Sequence, residues 1–166
     1  MALFLAIPVL GGLVVLQSAV VGQIHLLGGS ADLVLLALVA WAVQERVTTT
    51  WHWAVIGGLM AGIASALPFG TVLFGYLLAT GLAIVLRRWV WQAPLLAMLA
   101  ATFLGTIITQ LIAVIALRTT GTAIPLLQSF NLVTLPSGII NLLLAIPMYA
   151  VIGDLADLLY PEIIEI

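Results

Sequence analysis

Residues 135–149, LPSGIINLLLAIPMY, form a strongly apolar stretch that is interrupted by Pro136, Ser137, Asn141 and Pro147. The core helix of a soluble protein rarely has a proline near both ends and an amide between them. Membrane helices tolerate interior prolines when neighbouring groups satisfy the freed carbonyl, and their polar side chains bond across helices. The stretch therefore predicts a transmembrane helix that begins near Pro136, bends around Pro147 and is held by the Asn141 amide.

The composition of the whole chain agrees with a membrane protein. Of its 166 residues, 64% are hydrophobic and 6% are charged, and the mean hydropathy is +1.35. This small number of charged residues cannot cover a surface that faces water. The outside of the fold must therefore face lipid. The net charge of −2 disfavours nucleic acid as a partner, because nucleic-acid binding requires a basic face. The absence of cysteine excludes thiolate nucleophiles and cysteine-ligated metals.

The apolar runs are too long and continuous for the alternating strands of a membrane barrel, so helices are expected. The chain is predicted to be one domain, residues 1–166, built as an all-α bundle of six transmembrane helices. Their expected limits are about 2–21, 30–43, 51–66, 71–86, 94–117 and 136–158. The second helix is short and is expected to begin as an irregular segment, so five helices plus a re-entrant piece is the alternative. Pro68 and Gly70 predict a tight turn before the fourth helix.

The arginines predict the orientation. With six spans, Arg46, Arg87 and Arg88 lie on the same side as both termini and Arg118 lies opposite, which places both termini in the cytoplasm. Tryptophan is amphipathic and favours the headgroup layer. Tryptophans at span ends on the same side agree with this orientation, namely Trp51, Trp53, Trp89 and Trp91.

Small residues recur every fourth position in the third helix, at Ala54, Gly58, Gly62 and Ala66. Such a row forms a groove into which another helix can pack closely. Similar rows occur in the fourth and fifth helices, at Gly75, Ala79 and Ala83 and at Ala93, Ala97, Ala101 and Gly105. The rows are explained by packing within the bundle, and the third-helix row is also a candidate seat for the transmembrane helix of a partner.

The few polar residues within the spans do not assemble an enzyme site. Asp32 is expected to cap the second helix, and Gln110 and Asn141 are each expected to bond across helices. His25 and His52 are predicted on opposite sides of the membrane and cannot share a metal. No catalytic residue, metal site or cofactor is predicted, and the absence of a row of intramembrane charges disfavours a proton relay or voltage sensor.

Three stretches resemble the MreD family, the rod-shape-determining membrane proteins of bacteria. GLMAGIASALPFG (residues 58–70) resembles the family pattern GLLxDLLSGxPLG without a gap, and Pro68 and Gly70 match. GGSADLVLLALVAWAV (residues 28–43) resembles the family's RPDLLLL, with Asp32 at the acidic position. LPSGIINLLLAIPMY resembles LPSxxxNxxLAxPVY, with Pro136, Asn141 and Pro147 at the matching positions. Two departures are Gly62, where the family has Asp, and Ala31, where it has Pro.

The resemblance implies a non-catalytic scaffold in the bacterial cytoplasmic (inner) membrane. Such a protein binds the bitopic protein MreC and works with MreB, RodA and a class B penicillin-binding protein in peptidoglycan synthesis during cell elongation, which maintains rod shape. The expected mechanism is docking of the MreC transmembrane helix, with the Ala54–Ala66 row and the last helix as the favoured seat. A packing role at position 62 is compatible with Gly62, whereas an acidic role is not.

The alternative is a substrate-capture subunit of an energy-coupling-factor vitamin transporter, which is also a six-helix chain of about this size. That function requires an outward pocket of a few hundred Å³ lined by convergent polar and aromatic groups. The outer side offers four polar residues for such a site, His25, Asp32, Gln128 and Asn131. It also requires small residues on one face of the first helix, where the chain has only Ala2 and Ala6 at the start and Ser18 and Gly22 at the end.

Overall fold

The computed structural model describes residues 2–19, 29–90, 92–121 and 130–161. These residues form six α-helices joined by turns and extended segments. In chain order the helices are α1 (Ala2–Ala19), α2 (Leu33–Val43), α3 (Thr50–Ala64), α4 (Thr71–Trp89), α5 (Pro94–Thr119) and α6 (Leu135–Leu159). A π-helical turn, Phe130–Thr134, leads directly into α6. The all-helical class predicted from the sequence is confirmed.

Four helices are long and apolar enough to cross a membrane: α1, α4, α5 and α6 with its preceding turn. They expose large apolar side chains such as Phe4 on α1 and Leu143 on α6, which are 80% and 71% exposed. Such surfaces are stable against lipid but not against water. The fold is therefore that of a membrane protein.

Helix α2 lies at the centre of the bundle. All eleven of its residues are buried, and it packs against each of the other five helices. At 1.5 Å per residue it is about 16 Å long, roughly half the thickness of the hydrocarbon core. Because its surroundings are protein on all sides, its sequence is apolar on every face.

The ends of the helices follow local sequence signals. Gly70 precedes α4 with a φ of 84°, and the Thr71 N–H donates to the Pro68 carbonyl at 3.1 Å, so the predicted tight turn is confirmed. Pro94 and Pro136 occupy the first turns of α5 and α6. A backbone N–H has no partner within the helix at these positions, so proline costs no hydrogen bond there. Helix α2 begins at Leu33 and not at Ser30. Residues 30–32 are not helical, which agrees with the predicted irregular start of this helix.

Helices α3, α4 and α5 pack side by side through their small residues. A Cβ added at Gly105 of α5 would lie 3.2 Å from the Cβ of Ala79 on α4, and one added at Gly75 would lie 3.2 Å from Thr109 Cγ2. The rows predicted in the fourth and fifth helices therefore face each other within the bundle. Close backbone approach of this kind increases the van der Waals contact on which helix association in lipid depends.

Candidate functional site

Two sequence stretches that are more than one hundred residues apart meet at one end of the bundle. The extended segment 29–32 lies on the first turns of α6, where the Ser30 N–H donates to Ser137 Oγ at 3.1 Å. A Cβ at Gly29 would lie 2.5 Å from the Ser137 nitrogen, so only glycine fits there without a shift of the backbone. Ser137 thus supplies the hydrogen-bond acceptor that the backbone N–H of Ser30 requires.

Asp32 is the centre of the hydrogen bonds at this end. Its Oδ1 accepts from the Leu35 N–H at 3.0 Å, which confirms the predicted cap of the second helix. The same oxygen accepts from the Tyr76 hydroxyl at 2.7 Å. Tyr76 was not predicted as a site residue, because nothing in a single sequence links it to a residue 44 positions earlier.

Asn141 joins three elements through its amide. Its Oδ1 accepts from the Asp32 N–H at 2.9 Å, and its Nδ2 donates to Thr106 Oγ1 on α5 at 2.9 Å. The Thr106 hydroxyl in turn donates to the Thr102 carbonyl at 2.8 Å. The predicted interhelical bond of Asn141 is confirmed, and the residue is 1% exposed.

A cavity of about 270 Å³ opens beside Asp32. Most of its lining residues carry polar side chains, contributed by α1, α4, α5 and the segments beside α2 and α3: Gln17, Ser30, Asp32, Ser65, Thr71, Tyr76, Thr109 and Gln110. An adjoining cavity of about 250 Å³ shares Gln17, Ser30 and Ser65 with it. All three stretches that resemble the MreD family therefore contribute to the same end of the bundle.

Two glutamines on the cavity wall differ in how they are held. Gln17 Oε1 accepts from the Val34 N–H at 3.3 Å, so its amide is fixed against the start of α2. Gln17 was missed in the sequence, although a polar residue near the end of an apolar run is a signal for it. Gln110 was expected to bond across helices. It makes no hydrogen bond to another described residue and instead lines the cavity.

The opposite end of the bundle carries three of the four arginines, Arg46, Arg87 and Arg88. Arg87 Nη1 donates to the carbonyls of Ala42 and Gln44 at 2.9 and 2.8 Å and so caps the C-terminus of α2. Arg46 forms an ion pair with Asp157. Trp41 stacks on Trp53 with ring centroids 4.1 Å apart.

The tryptophans at this end only partly fit the predicted headgroup layer. Trp51 and Trp89 are exposed, whereas Trp53 is fully buried. Its indole N–H donates to the Ala2 carbonyl at 3.2 Å, so the prediction for Trp53 is corrected: it packs in the core. Trp91 lies outside the described residues.

The small-residue row of α3 is largely occupied by α4 of the same chain. A Cβ at Gly58 would lie 2.7 Å from Leu73 Cδ1 and 2.8 Å from its Cα, and Ala54 is fully buried. At Gly62 the nearest atom is Val72 Cβ, at 3.9 Å, and Ala66 lies beyond the end of the helix. The Ala54–Gly58 half of the row is therefore an internal contact and leaves no room for a partner's helix.

An apolar groove runs between α1 and α6 on the outside of the bundle, with a volume of about 650 Å³. Its α1 wall includes Gly12 and Leu16, and its α6 wall includes Met148, Val151 and Leu158. Nothing lies within 4 Å of a Cβ added at Gly12. Helix α6 continues through Pro147, one residue before Met148. This α1–α6 groove was not recognised in the sequence, because its glycine does not belong to a repeated row.

The described residues contain no group of three or more metal-ligating side chains. His52 is exposed at the start of α3 and Asn131 is exposed before α6, whereas His25 and Gln128 lie outside the described residues.

Comparisons of the chain with protein-family models, curated proteins and solved structures gave no match.

Proposed function

We propose that the chain is a MreD-like, non-catalytic scaffold of the bacterial cell-elongation machinery, and that it docks the transmembrane helix of MreC. In this proposal it is a multi-pass protein of the cytoplasmic membrane with both termini in the cytoplasm. Its work is to hold MreC in position for MreB, RodA and a class B penicillin-binding protein during peptidoglycan synthesis. The resemblance rests on three stretches, and their convergence around Asp32, Ser65 and Asn141 supports treating them as one set.

The observation that carries the docking proposal is the α1–α6 groove. Its walls are apolar apart from Asp154 on α6, it is about 650 Å³ in volume, and the described residues of the chain do not fill it. Helix association in lipid depends on close packing and not on removal of apolar surface from water. A groove with a glycine in one wall offers a single helix more contact area than a flat helix face does.

The α1–α6 groove also moves the expected binding site for the MreC helix from α3 to α1. Gly58 cannot receive a partner because Leu73 already occupies that position. The last helix remains part of the seat, since Met148, Val151 and Ile152 line the groove. The mechanism is positional: a partner helix lying between α1 and α6 has its tilt and rotation fixed by both walls.

The test is co-purification of the full-length chain with MreC from the same organism, with Gly12→Leu as the groove-filling variant. Because a Cβ added at Gly12 has no described atom within 4 Å, the variant should fold as the wild type does. Val15→Phe is the matched control, since Val15 lies on α1, is 65% exposed and does not line the groove. We expect G12L to lower MreC recovery about tenfold, which corresponds to ~1.4 kcal/mol, and V15F to leave it unchanged.

Two results would overturn different parts of the proposal. Failure of the wild-type chain to retain MreC in mild detergent would reject the scaffold function. Undiminished recovery with G12L would reject the α1–α6 groove as the seat while leaving a scaffold that binds elsewhere.

A second candidate function is substrate capture for an energy-coupling-factor transporter. The polar cavity beside Asp32 favours it, because its size of about 270 Å³ and its convergent polar groups with one tyrosine match what such a subunit requires. The candidates differ in what accompanies the purified chain. A transporter subunit would carry a bound solute and associate with the energising membrane subunit, with no requirement for MreC.

A further inference from the structure

Asp32 is the one charged residue among the described residues that line the polar cavity. Between described residues the structure contains one ion pair, Arg46 with Asp157, at the other end of the bundle. We infer that the cavity binds a primary ammonium group, either on a free small molecule or on a lipid headgroup, and that Asp32 is its counter-ion. This inference is independent of whether the chain also docks MreC.

The Asp32 carboxyl is oriented by hydrogen-bond donors, and no cationic side chain is among the described residues that line the cavity with it. The Leu35 N–H and the Tyr76 hydroxyl both donate to Oδ1, and the N-terminus of α2 adds a partial positive charge. These dipoles orient the carboxylate but do not neutralise it. A buried carboxylate is costly without a charged partner, and no arginine is among the described residues that line the cavity.

The rest of the cavity wall suits a hydroxylated or phosphorylated body next to the ammonium group. Gln17 uses its oxygen to accept from the Val34 N–H, and its side chain also bonds to the Asp32 carboxyl, so Gln17 and Asp32 together form one polar wall of the cavity. Gln110 offers a second amide, which makes no hydrogen bond to another described residue. The volume of about 270 Å³ is slightly below the range of about 300–1,000 Å³ for ligand pockets, so the cavity suits a small ligand or a headgroup.

The adjoining cavity suggests how a lipid headgroup could reach Asp32. It extends from Gln17 and Ser30 past Ser18 on α1 and Ala64 on α3, both of which are exposed. A headgroup could therefore enter between α1 and α3 while its acyl chains stay outside the bundle. A free amine would occupy the same position beside Asp32, so the two sources share one recognition chemistry.

The experiment identifies amines that co-purify with the full-length chain. The protein is purified from membranes in mild detergent and denatured, and released compounds are labelled with an amine-reactive reagent and quantified by mass spectrometry. Label in the organic phase identifies phosphatidylethanolamine-type headgroups, and label in the aqueous phase identifies a free amine. Asp32→Asn is the test variant, because asparagine still caps a helix and still accepts from Tyr76. Asp157→Asn is the matched control, which removes a carboxylate far from the cavity.

We expect about one amine per wild-type chain, a loss of about tenfold in D32N and retention in D157N, with equal helix content by circular dichroism. Loss in D32N from either phase supports the inference and names the source. Equal amounts of amine in wild type and D32N, or no amine in the wild type, would overturn it. If D32N loses helix content, Tyr76→Phe provides the second test, and it should weaken retention of the amine without removing the carboxylate. Retention equal to that of the wild type in Y76F would then overturn the inference.

Discussion

Asp32 and Arg87 cap opposite ends of the same buried helix. Asp32 Oδ1 accepts from the Leu35 N–H at the N-terminus of α2, and Arg87 Nη1 donates to the Ala42 and Gln44 carbonyls at its C-terminus. The charges complement the helix dipole at both ends. All eleven residues of the helix are buried, so its terminal backbone groups depend on these caps for hydrogen-bond partners.

Replacement of Arg87 should therefore destabilise the fold from the C-terminal end of α2. In Arg87→Met two carbonyls lose a charged donor, and we expect a loss of about 2 kcal/mol in the free energy of unfolding. Arg88→Met is the control, since Arg88 is exposed and makes no hydrogen bond to another described residue. Unfolding by sodium dodecyl sulfate, followed by circular dichroism, measures both. Equal stability of the two variants would contradict the capping role.

Gly29→Ala should be more damaging than a glycine substitution within a helix. The added methyl would lie 2.5 Å from the Ser137 nitrogen and 2.7 Å from the Pro136 carbonyl carbon, so segment 29–32 would have to move off α6. We expect a cost of about 1–3 kcal/mol. Gly12→Ala is the matched control and should be neutral or slightly stabilising, because the added methyl has no described atom within 4 Å and alanine improves helix propensity. Thermal unfolding in detergent compares them; a lower melting temperature for G12A than for G29A would refute the contact.

Two glycines of the α3 row should respond differently to alanine. Gly58→Ala places a methyl 2.8 Å from Leu73 Cα, which is backbone, whereas Gly62→Ala places one in ordinary contact with Val72 at 3.9 Å. We expect G58A to lose about 1–3 kcal/mol of stability and G62A to change it by less than about 0.5 kcal/mol. The same detergent unfolding assay distinguishes them. Equal losses would mean that the row contacts something other than α4.

The hydrogen bond between Asn141 and Thr106 should show measurable coupling. Asn141→Ala, Thr106→Val and the double variant form a thermodynamic cycle across α5 and α6. We expect a coupling energy of about 0.6–1.7 kcal/mol, in the range of interhelical bonds in membrane proteins. The free energies come from unfolding in detergent. A coupling energy near zero would mean that Asn141 acts only through its bond to the Asp32 N–H.

Local sequence signals predicted where helices begin better than they predicted which residues each helix contacts. Pro94, Pro136 and Gly70 fixed where helices begin, because proline and a positive φ act on the backbone without help from the rest of the fold. Asp32 as a cap and Asn141 as an interhelical donor were also correct, since a polar group in lipid must find a partner. The identity of each partner was not predictable, because Tyr76, Thr106 and Arg87 are distant in sequence.

The sequence predicted less well which helix faces are buried inside the bundle. Trp53 was expected in the headgroup layer and lies in the core, stacked on Trp41. The row of Ala54, Gly58, Gly62 and Ala66 was a candidate seat for a partner, and Leu73 of α4 covers it at Gly58. In a membrane protein a lipid-facing and a protein-facing surface are both apolar, so the hydrophobic pattern that locates the core of a soluble protein does not discriminate here.

The sequence by itself determined a helical membrane protein with helices starting at its prolines and glycines, and a few polar residues that had to be satisfied internally. Tertiary structure alone decided that segment 29–32 rests on α6, that Asp32 meets Tyr76 beside a polar cavity, and that the open groove lies between α1 and α6. The physical reason is range. Backbone geometry and transfer from water act within a few residues, whereas hydrogen-bond partners and helix contacts are chosen among surfaces that the chain brings together only when it folds.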